Sequence, residues 1–139
     1  MSTPTTKKGI LDLSQLLSGM SPRLQPGAYV FCSLATLEGI PPNWIIGQFR
    51  EAEGISLILA QEQADQLELD YHFMAAWISL EVHSALEAVG LTAAVATALA
   101  QEQISCNVVP GFYHDHIFVP LEDQQRALQL LVELSKHGG

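Results

Sequence analysis

The sequence has few basic residues. Six Lys and Arg stand against fifteen Asp and Glu, which gives a formal net charge of −9. Residues 1–70 carry four basic and eight acidic groups and residues 71–139 carry two and seven, so neither half conceals a basic face. Binding to a phosphate backbone requires clustered Lys and Arg. We therefore expect no nucleic-acid partner.

Long hydrophobic runs are also lacking. The longest uncharged apolar stretch, residues 88–101, has 14 residues and is rich in Ala, whereas a membrane-spanning helix needs about 20. The polar start, residues 1–8, contains two lysines but no apolar run of signal-peptide length follows it. We expect a frayed arm over residues 1–8, no membrane span and a cytoplasmic protein.

The sequence has two cysteines and none of the familiar catalytic motifs. Cys32 and Cys106 each lie in an apolar, strand-like run, which indicates reduced core thiols rather than a disulfide framework. No nucleophile elbow, P-loop, Rossmann glycine pattern or zinc-protease motif is present. We predict no catalytic residue and no cofactor.

Apolar periodicity divides the first half into short elements. Residues 10–20 show apolar spacings of three and four, which predict a short helix that Gly19 and Pro22 terminate. Strands and a second short helix are predicted after it. The strands are residues 28–34, 44–49 and 55–60, and the helix is residues 61–69.

The second half has a clearer pattern. A long apolar strand over residues 73–82 is followed by a helix that begins near Leu91. Two strands, residues 104–111 and 116–120, and a last helix opened by Pro120, Glu122 and Asp123 complete it. Strand, helix, strand, strand, helix is the order of a ferredoxin-like α+β sandwich with one antiparallel sheet.

The two halves share a local pattern. AYVFCSL follows Pro26-Gly27, and HIFVPL follows Pro110-Gly111. The similarity predicts that the chain contains two copies of one motif.

The most informative segment is EAVGLTAAVATALAQEQISCNVV, residues 87–109. Gly90 stands where a strand turns sharply into a helix, and small residues after it let that helix lie close to the sheet. The segment resembles the signature of the ACT family, the small-ligand regulatory modules of amino-acid-metabolism enzymes. The positions that fit the signature are Gly90, Val95, Leu99, Ile104 and Asn107.

The resemblance extends further along the chain. SALEAVGLTAA together with CNVVPGFYHDHIFVP is similar to a family of small stand-alone bacterial proteins built from two ACT-like halves. It implies a ferredoxin-like ACT fold, with an antiparallel sheet and helices on one face. Residues 9–70 would form a divergent N-terminal ACT-like half, and residues 71–139 a C-terminal ACT domain.

The resemblance also implies a non-catalytic regulatory protein of amino-acid metabolism that binds a small molecule, in particular an amino acid. In ACT modules the effector lies between this loop and a strand of a partner module. The residues carried over as ligand-binding candidates are Glu87, Gly90, Leu91, Thr92 and Asn107. Physically, backbone N–H groups at a helix N-terminus favour a carboxylate, and an Asn amide offers both a donor and an acceptor. Alternatively, Gly90 is only a tight turn and Asn107 only a strand-edge residue.

His114-Asp115-His116 supports a competing hypothesis. Two imidazoles at i and i+2 lie on one side of an extended segment, so a metal-dependent enzyme that uses His114 and His116 is an alternative function. A known zinc spacing is absent, and Asp115 falls where a hairpin would turn. The simpler interpretation is a polar hairpin with one histidine bonded to backbone. A purely structural interaction module is a third hypothesis.

The pattern of elements bears on assembly. The second half lacks a closing strand and the first half lacks a leading strand, and proteins cover or pair such open edges. Either the halves complete each other within one chain, with the strand over residues 73–82 shared, or they pair across a two-fold axis. We expect the second arrangement, a homodimer. Any regulatory output would pass to an enzyme in trans.

Overall fold

The computed structural model describes residues 17–81 and 90–137. Within them the chain forms one seven-stranded antiparallel sheet. Its strands are β1 (Ser21–Leu24), β2 (Tyr29–Leu34), β3 (Gly47–Arg50), β4 (Ile55–Ala60), β5 (Met74–Glu81), β6 (Asn107–Pro110) and β7 (Asp115–Pro120). The described helices are α1 (Gln61–Gln66), α2 (Leu91–Gln101) and α3 (Gln124–His137), with 3₁₀ turns at Pro42–Trp44 and Leu121–Asp123.

Strand β5 joins the two halves of the sheet. Its first residues, Met74 and Ala75, pair with β2, and its last four pair with β1. Its other edge pairs with β7 over six residues. The sheet order is therefore β3-β4-β2-β5-β7-β6, with β1 beside β5. The α+β class and the strand–helix–strand–strand–helix order of the second half are confirmed.

Both halves are completed within one chain. In the second half β1 lies next to β5 and supplies the strand that this half lacks. In the first half the start of β5 takes the same position next to β2. The absence of these two strands was the reason for expecting a homodimer, and intrachain pairing removes that reason. The edge strands of the sheet, β3 and β6, have four residues each.

The helices lie on one face of the sheet, as predicted. Two aliphatic clusters fill that face. The larger lies beneath α2 and α3 and includes Ile78, Leu99 and Leu131. The smaller lies beneath α1 and includes Val30 and Leu57.

The opposite face carries an aromatic cluster and none of the described helices. Its buried members are Tyr29, Ile58, Ala75 and Phe118. Phe118 is 1% exposed. Neighbouring rings close over it, since Phe31 meets it edge-on at 5.4 Å and Trp77 stacks on it at 5.9 Å between centroids. Packing between aromatic side chains thus buries the centre of this face, which none of the described helices covers.

Several predicted boundaries are wrong. Strand β1 was missed, because SPRL is short, contains a proline and alternates between exposed and half-buried positions. The run expected to begin at Trp44 forms a strand only from Gly47, because Pro42–Trp44 is a 3₁₀ turn. The β6–β7 hairpin turns over residues 111–114, closed by the Gly111 N–H donating to the His114 carbonyl at 2.9 Å. Asp115 is therefore the first residue of β7 and pairs with Pro110, not a turn residue.

The predicted arm at residues 1–8 and most of the predicted helix over residues 10–20 lie outside the described residues. The division of the chain at residue 70 stays a prediction. No helix in the described part of the chain is long and apolar enough to cross a membrane.

Candidate functional site

Gly90 begins α2 in a left-handed conformation. Its φ of 96° and ψ of −19° are unfavourable for a residue with a Cβ. Its carbonyl accepts the Ala94 N–H at 2.9 Å, which closes the first turn of the helix. Gly90, the N-cap residue, has no side chain that could cap the helix. The N-cap residue therefore leaves the first backbone N–H groups of α2 to another acceptor, and a carboxylate is one that suits them.

The side chains after Gly90 have different surroundings. Leu91 is 1% exposed and belongs to the larger aliphatic cluster. Its side chain anchors α2 to the sheet, so only its backbone can meet a ligand. Thr92 is half-buried. Glu87, the remaining candidate of this loop, lies outside the described residues.

Asn107 lies far from Gly90 in the same chain. It is exposed and is the first residue of β6, opposite Phe118 of β7. Gly90 precedes α2, whereas β6 follows the other end of this 11-residue helix. A helix of that length spans about 16 Å. The structure therefore does not bring Gly90 and Asn107 of one chain together around one small ligand.

His116 lies in a hydrogen-bonded group on the aromatic face. The Trp77 indole Nε1 donates to His116 Nδ1 at 3.0 Å, and Ser79 Oγ lies 3.2 Å from the same nitrogen. Gln25 Nε2 donates to Ser79 Oγ at 3.1 Å. Burial is the main reason that the pKa of His116 is lowered, with His114 lowering it further and Asp115 and Glu81 opposing the shift.

This arrangement corrects the interpretation of the histidine segment. His116 bonds to side chains, not to backbone. Its Nδ1 is occupied, which leaves Nε2 alone for any metal. Nδ1 of His114 is buried without a hydrogen-bond partner. Residues 17–81 and 90–137 bring together no group of three or more His, Cys, Asp or Glu side chains suited to hold a metal ion.

Gly111 fits this region closely. A Cβ built on it would lie 2.7 Å from the His114 carbonyl oxygen and 3.1 Å from His116 Nε2. Real Cβ atoms do not approach backbone that closely, so only glycine allows the turn to pack against both histidines. Sequence reasoning placed Gly111 at the end of a strand over residues 104–111, and it did not identify Trp77, Ser79 and Gln25 as partners of His116. Their spacing along the chain carries no signal, since only strand pairing brings them together.

Comparison with protein families gives two matches in tandem. Models of the ACT domain match residues 8–76 and residues 74–133. The matches overlap at the start of β5, the strand that both halves share. No functionally curated protein matches the chain.

Solved structures support the same assignment. A protein of unknown function from Vibrio cholerae, described as a possible transport protein, is 48% identical, with a TM-score of 0.81 over 91% of this chain and 98% of that chain. A protein from Agrobacterium tumefaciens is 21% identical, with a TM-score of 0.65 over 84% and 89%. The ligand-free regulatory subunit of aspartate kinase from Thermus thermophilus shares the fold at 11% identity, with a TM-score of 0.56 over 84% and 98%.

Proposed function

Because the chain belongs to the ACT-domain family, with two ACT domains in tandem, we propose that it is a non-catalytic regulatory protein that binds an amino acid. The tandem of ACT matches is the observation that carries the proposal. The fold likeness to an aspartate kinase regulatory subunit supports it, since that protein is itself regulatory. We infer that the regulated enzyme of amino-acid metabolism is a separate chain. Two free cysteines support a reducing, cytoplasmic location.

The ligand site we propose is the start of α2. The amino acid's carboxylate would accept hydrogen bonds from the backbone N–H groups of Leu91 and Thr92, where the helix dipole favours negative charge. Gly90 would permit close approach to the backbone. Glu87, which lies outside the described residues, is the remaining candidate of this loop.

In the proposed site, Asn107 would come from a second copy of the chain. Within one chain α2 separates it from Gly90 by about 16 Å. A ligand bonded to both would therefore join Gly90 of one copy to Asn107 of a second copy. The exposed edge of β6, which begins at Asn107, is available for such a contact in a homodimer.

Regulation by this site has a thermodynamic requirement. A ligand shifts an equilibrium between two arrangements only to the extent that it binds one more tightly. A site made from two copies meets this requirement, because the ligand's contacts are complete only in the dimer. Ligand binding and dimer formation would then strengthen each other by the same factor.

A thermal-shift screen against the twenty amino acids tests the proposal. A ligand at a hundredfold excess over its Kd stabilises the folded state by about 2.7 kcal/mol. Asn107→Ala should weaken the shift, and Ser105→Ala, at a neighbouring exposed position, should leave it unchanged. Light scattering over a dilution series should show a mass of twice 15.1 kDa that ligand stabilises. No shift with any amino acid would overturn the proposal in favour of a structural interaction module.

A metal-dependent enzyme that uses His114 and His116 is the competing hypothesis, and metal analysis of the purified protein tests it. A stoichiometric bound transition metal that His116→Asn removes would favour that function over the regulatory one. We expect less than stoichiometric metal.

A further inference from the structure

A chain of hydrogen bonds connects three parts of the aromatic face. It runs from Gln25, in the segment between β1 and β2, to Ser79 on β5 and His116 on β7, where Trp77 of β5 also bonds. Ser79 is a buried polar residue, 3% exposed. A buried hydroxyl needs hydrogen-bond partners, because its desolvation is otherwise uncompensated. The chain supplies them.

The direction of the hydrogen bonds fixes the protonation of His116. An indole N–H can only donate. His116 Nδ1, 3.0 Å from Trp77 Nε1, must therefore be an unprotonated acceptor. The imidazole is then neutral, with its proton on Nε2. The Ser79 hydroxyl donates to the same Nδ1 and accepts from Gln25, so every bond has one donor and one acceptor.

The surroundings leave His116 little room for another arrangement. Gly111 lies against Nε2, so closely that a Cβ there would be 3.1 Å away. The imidazole and the Trp77 indole meet edge-on, with centroids 5.7 Å apart. A rotated imidazole would bring a C–H group to the indole N–H in place of the acceptor.

The charged and titratable groups around His116 come from each neighbouring element. On its own strand and the preceding turn these are Asp115 and His114, and on β5 the group is Glu81. Glu81 is also 3.6 Å from Arg23 of β1, which offsets part of its charge. On β6 the residues opposite β7 are uncharged. Burial and His114 favour the neutral imidazole and outweigh the two carboxylates, so the pKa of His116 is lowered.

We propose that His116 is a proton-sensitive latch that, in its neutral form, ties Trp77 and Ser79 of β5 to the β6–β7 hairpin. Protonation turns Nδ1 into a donor, so it can no longer accept from the indole, and that N–H loses its partner. The positive charge also lies in a partly desolvated place. The latch acts on β5, the strand common to both ACT halves, so one proton affects the pairing on which both halves depend.

The Trp77 indole N–H resonance in NMR tests the latch. Trp44→Phe leaves Trp77 as the single tryptophan of the chain. As the pH is lowered from about 8 to about 5, the indole N–H signal should shift or exchange-broaden, with a midpoint below the ordinary pKa of histidine. In the double variant Trp44→Phe/His116→Asn, the amide oxygen at position 116 can still accept from the Trp77 indole N–H but does not titrate. The pH response of the indole signal should therefore be lost. His72→Asn, at an exposed histidine, is the matched control and should retain it.

Stability against pH gives an independent measurement. A folded-state pKa below the unfolded value means that stability is complete above the ordinary histidine pKa and falls as the pH decreases through the lowered one. Trp77→Phe removes the donor, so the folded-state pKa should move toward the ordinary value and the acid loss of stability should diminish. This variant keeps the test decisive if His116→Asn does not fold. An indole signal that does not respond to pH, or the same response with Asn at position 116, would overturn the proposal.

Discussion

The two halves of the sheet have the same strand order but very different helices. In the first half the order is β5-β2-β4-β3, and in the second half it is β1-β5-β7-β6. In each order a half's first strand lies between its third strand and a completing strand, with the second strand at the edge; the completing strand is β5 in the first half and β1, from the start of the chain, in the second. In the second half an 11-residue and a 14-residue helix cover the sheet, whereas in the first half the described helix has six residues. Strand pairing is thus the repeated feature, and the helices differ.

The first half replaces a helix with an apolar connection. Between β2 and β3, where the second half has α2, the chain forms a loop and a 3₁₀ turn. Leu37, Ile40 and Ile45 of this connection pack against the smaller aliphatic cluster. Gly39 has a φ of 87°, close to the 96° of Gly90 before α2. Each half thus has a glycine with a positive φ between its first and second strands, and the first half forms only a 3₁₀ turn, with prolines at its start, where the second half has a regular helix.

This difference in helices determines which half can offer a helix N-terminus to a ligand. Binding of an anion to backbone N–H groups at that end requires a helix long enough to have a dipole. The second half has one at α2, and the first half has only the 3₁₀ turn at this place. The comparison therefore assigns the proposed site to the second half alone.

We expect the largest loss of stability from a substitution that leaves a cavity in either core. Leu99 lies in the larger cluster and Leu57 in the smaller, and both are fully buried. Leu99→Ala should cost about 3–5 kcal/mol and Leu57→Ala about 2–3 kcal/mol, because the irregular connection can relax into the smaller cavity. Urea unfolding measures both. Phe49→Ala, at a side chain 73% exposed, is the control and should change stability by less than about 0.5 kcal/mol.

The same unfolding curves test how independent the halves are. Because β5 is shared, Trp44 in the first half and Trp77 on β5 should report one coincident transition. Two separated transitions would show that each half is stable alone, contrary to this account.

A smaller effect distinguishes the equivalent hairpins. Gly111→Ala would place a Cβ 2.7 Å from a backbone carbonyl oxygen, whereas a Cβ at Gly54 would lie 2.9 Å from the Ser33 hydroxyl and 3.1 Å from the Leu34 carbonyl oxygen, so that its closest contact is with a side chain and its backbone contact is less severe. A side chain can rotate away more easily than backbone, so we expect a loss of about 2–3 kcal/mol for Gly111→Ala and about 1–2 kcal/mol for Gly54→Ala. Thermal unfolding measures the difference.

Gly27→Ala is the control for these hairpin variants. Gly27 has a φ of 94° and open space around its Cβ position. Its substitution isolates the conformational cost, about 1 kcal/mol. Equal losses at Gly111 and Gly27 would mean that the turn moves freely and that its close packing has no energetic consequence.

The alkylation rates of the two thiols compare how accessible a buried cysteine is in each half. Burial raises the pKa of Cys32, with Asp70 adding to the shift, and burial likewise raises the pKa of Cys106. A raised pKa leaves less of the reactive thiolate at neutral pH. Cys32 is buried and Cys106 half-buried, so Cys106 should react first and both at least ~10-fold more slowly than in urea. Mass spectrometry after timed quenching measures this, and faster labelling of Cys32 would contradict the packing of the first half.

The smallest effect concerns the ion pair between β1 and β5. Arg23 and Glu81 lie 3.6 Å apart on the exposed part of the sheet. Arg23→Ala should cost less than about 0.5 kcal/mol, and less still at high salt. A larger loss in urea unfolding would mean that this pair, rather than backbone pairing, holds β1 in the second half.

The second half could be predicted well because the local pattern of its apolar residues reflects which of them are buried. The apolar stripe of α2 and the long apolar strand at β5 give periods that depend only on local burial. Gly90 marked the start of α2 correctly. Strand β1 gave no such signal, since its four residues are exposed or half-buried and its partner, β5, lies more than fifty residues away. The candidate site could be predicted only in part from the sequence, because the length of α2 separates Asn107 from Gly90 in the folded chain.

The amino-acid sequence was enough to predict the α+β class and the acidic character, because periodicity and charge are local properties, and its resemblance to the ACT family implied the two ACT-like halves and the helices on one face. The folded structure was needed to show that β5 serves both halves, that β1 completes the second half, and that Trp77, Ser79 and Gln25 surround His116. These relations join residues up to 60 positions apart along the chain. They follow from strand register, in which one shifted residue would turn every side chain to the other face.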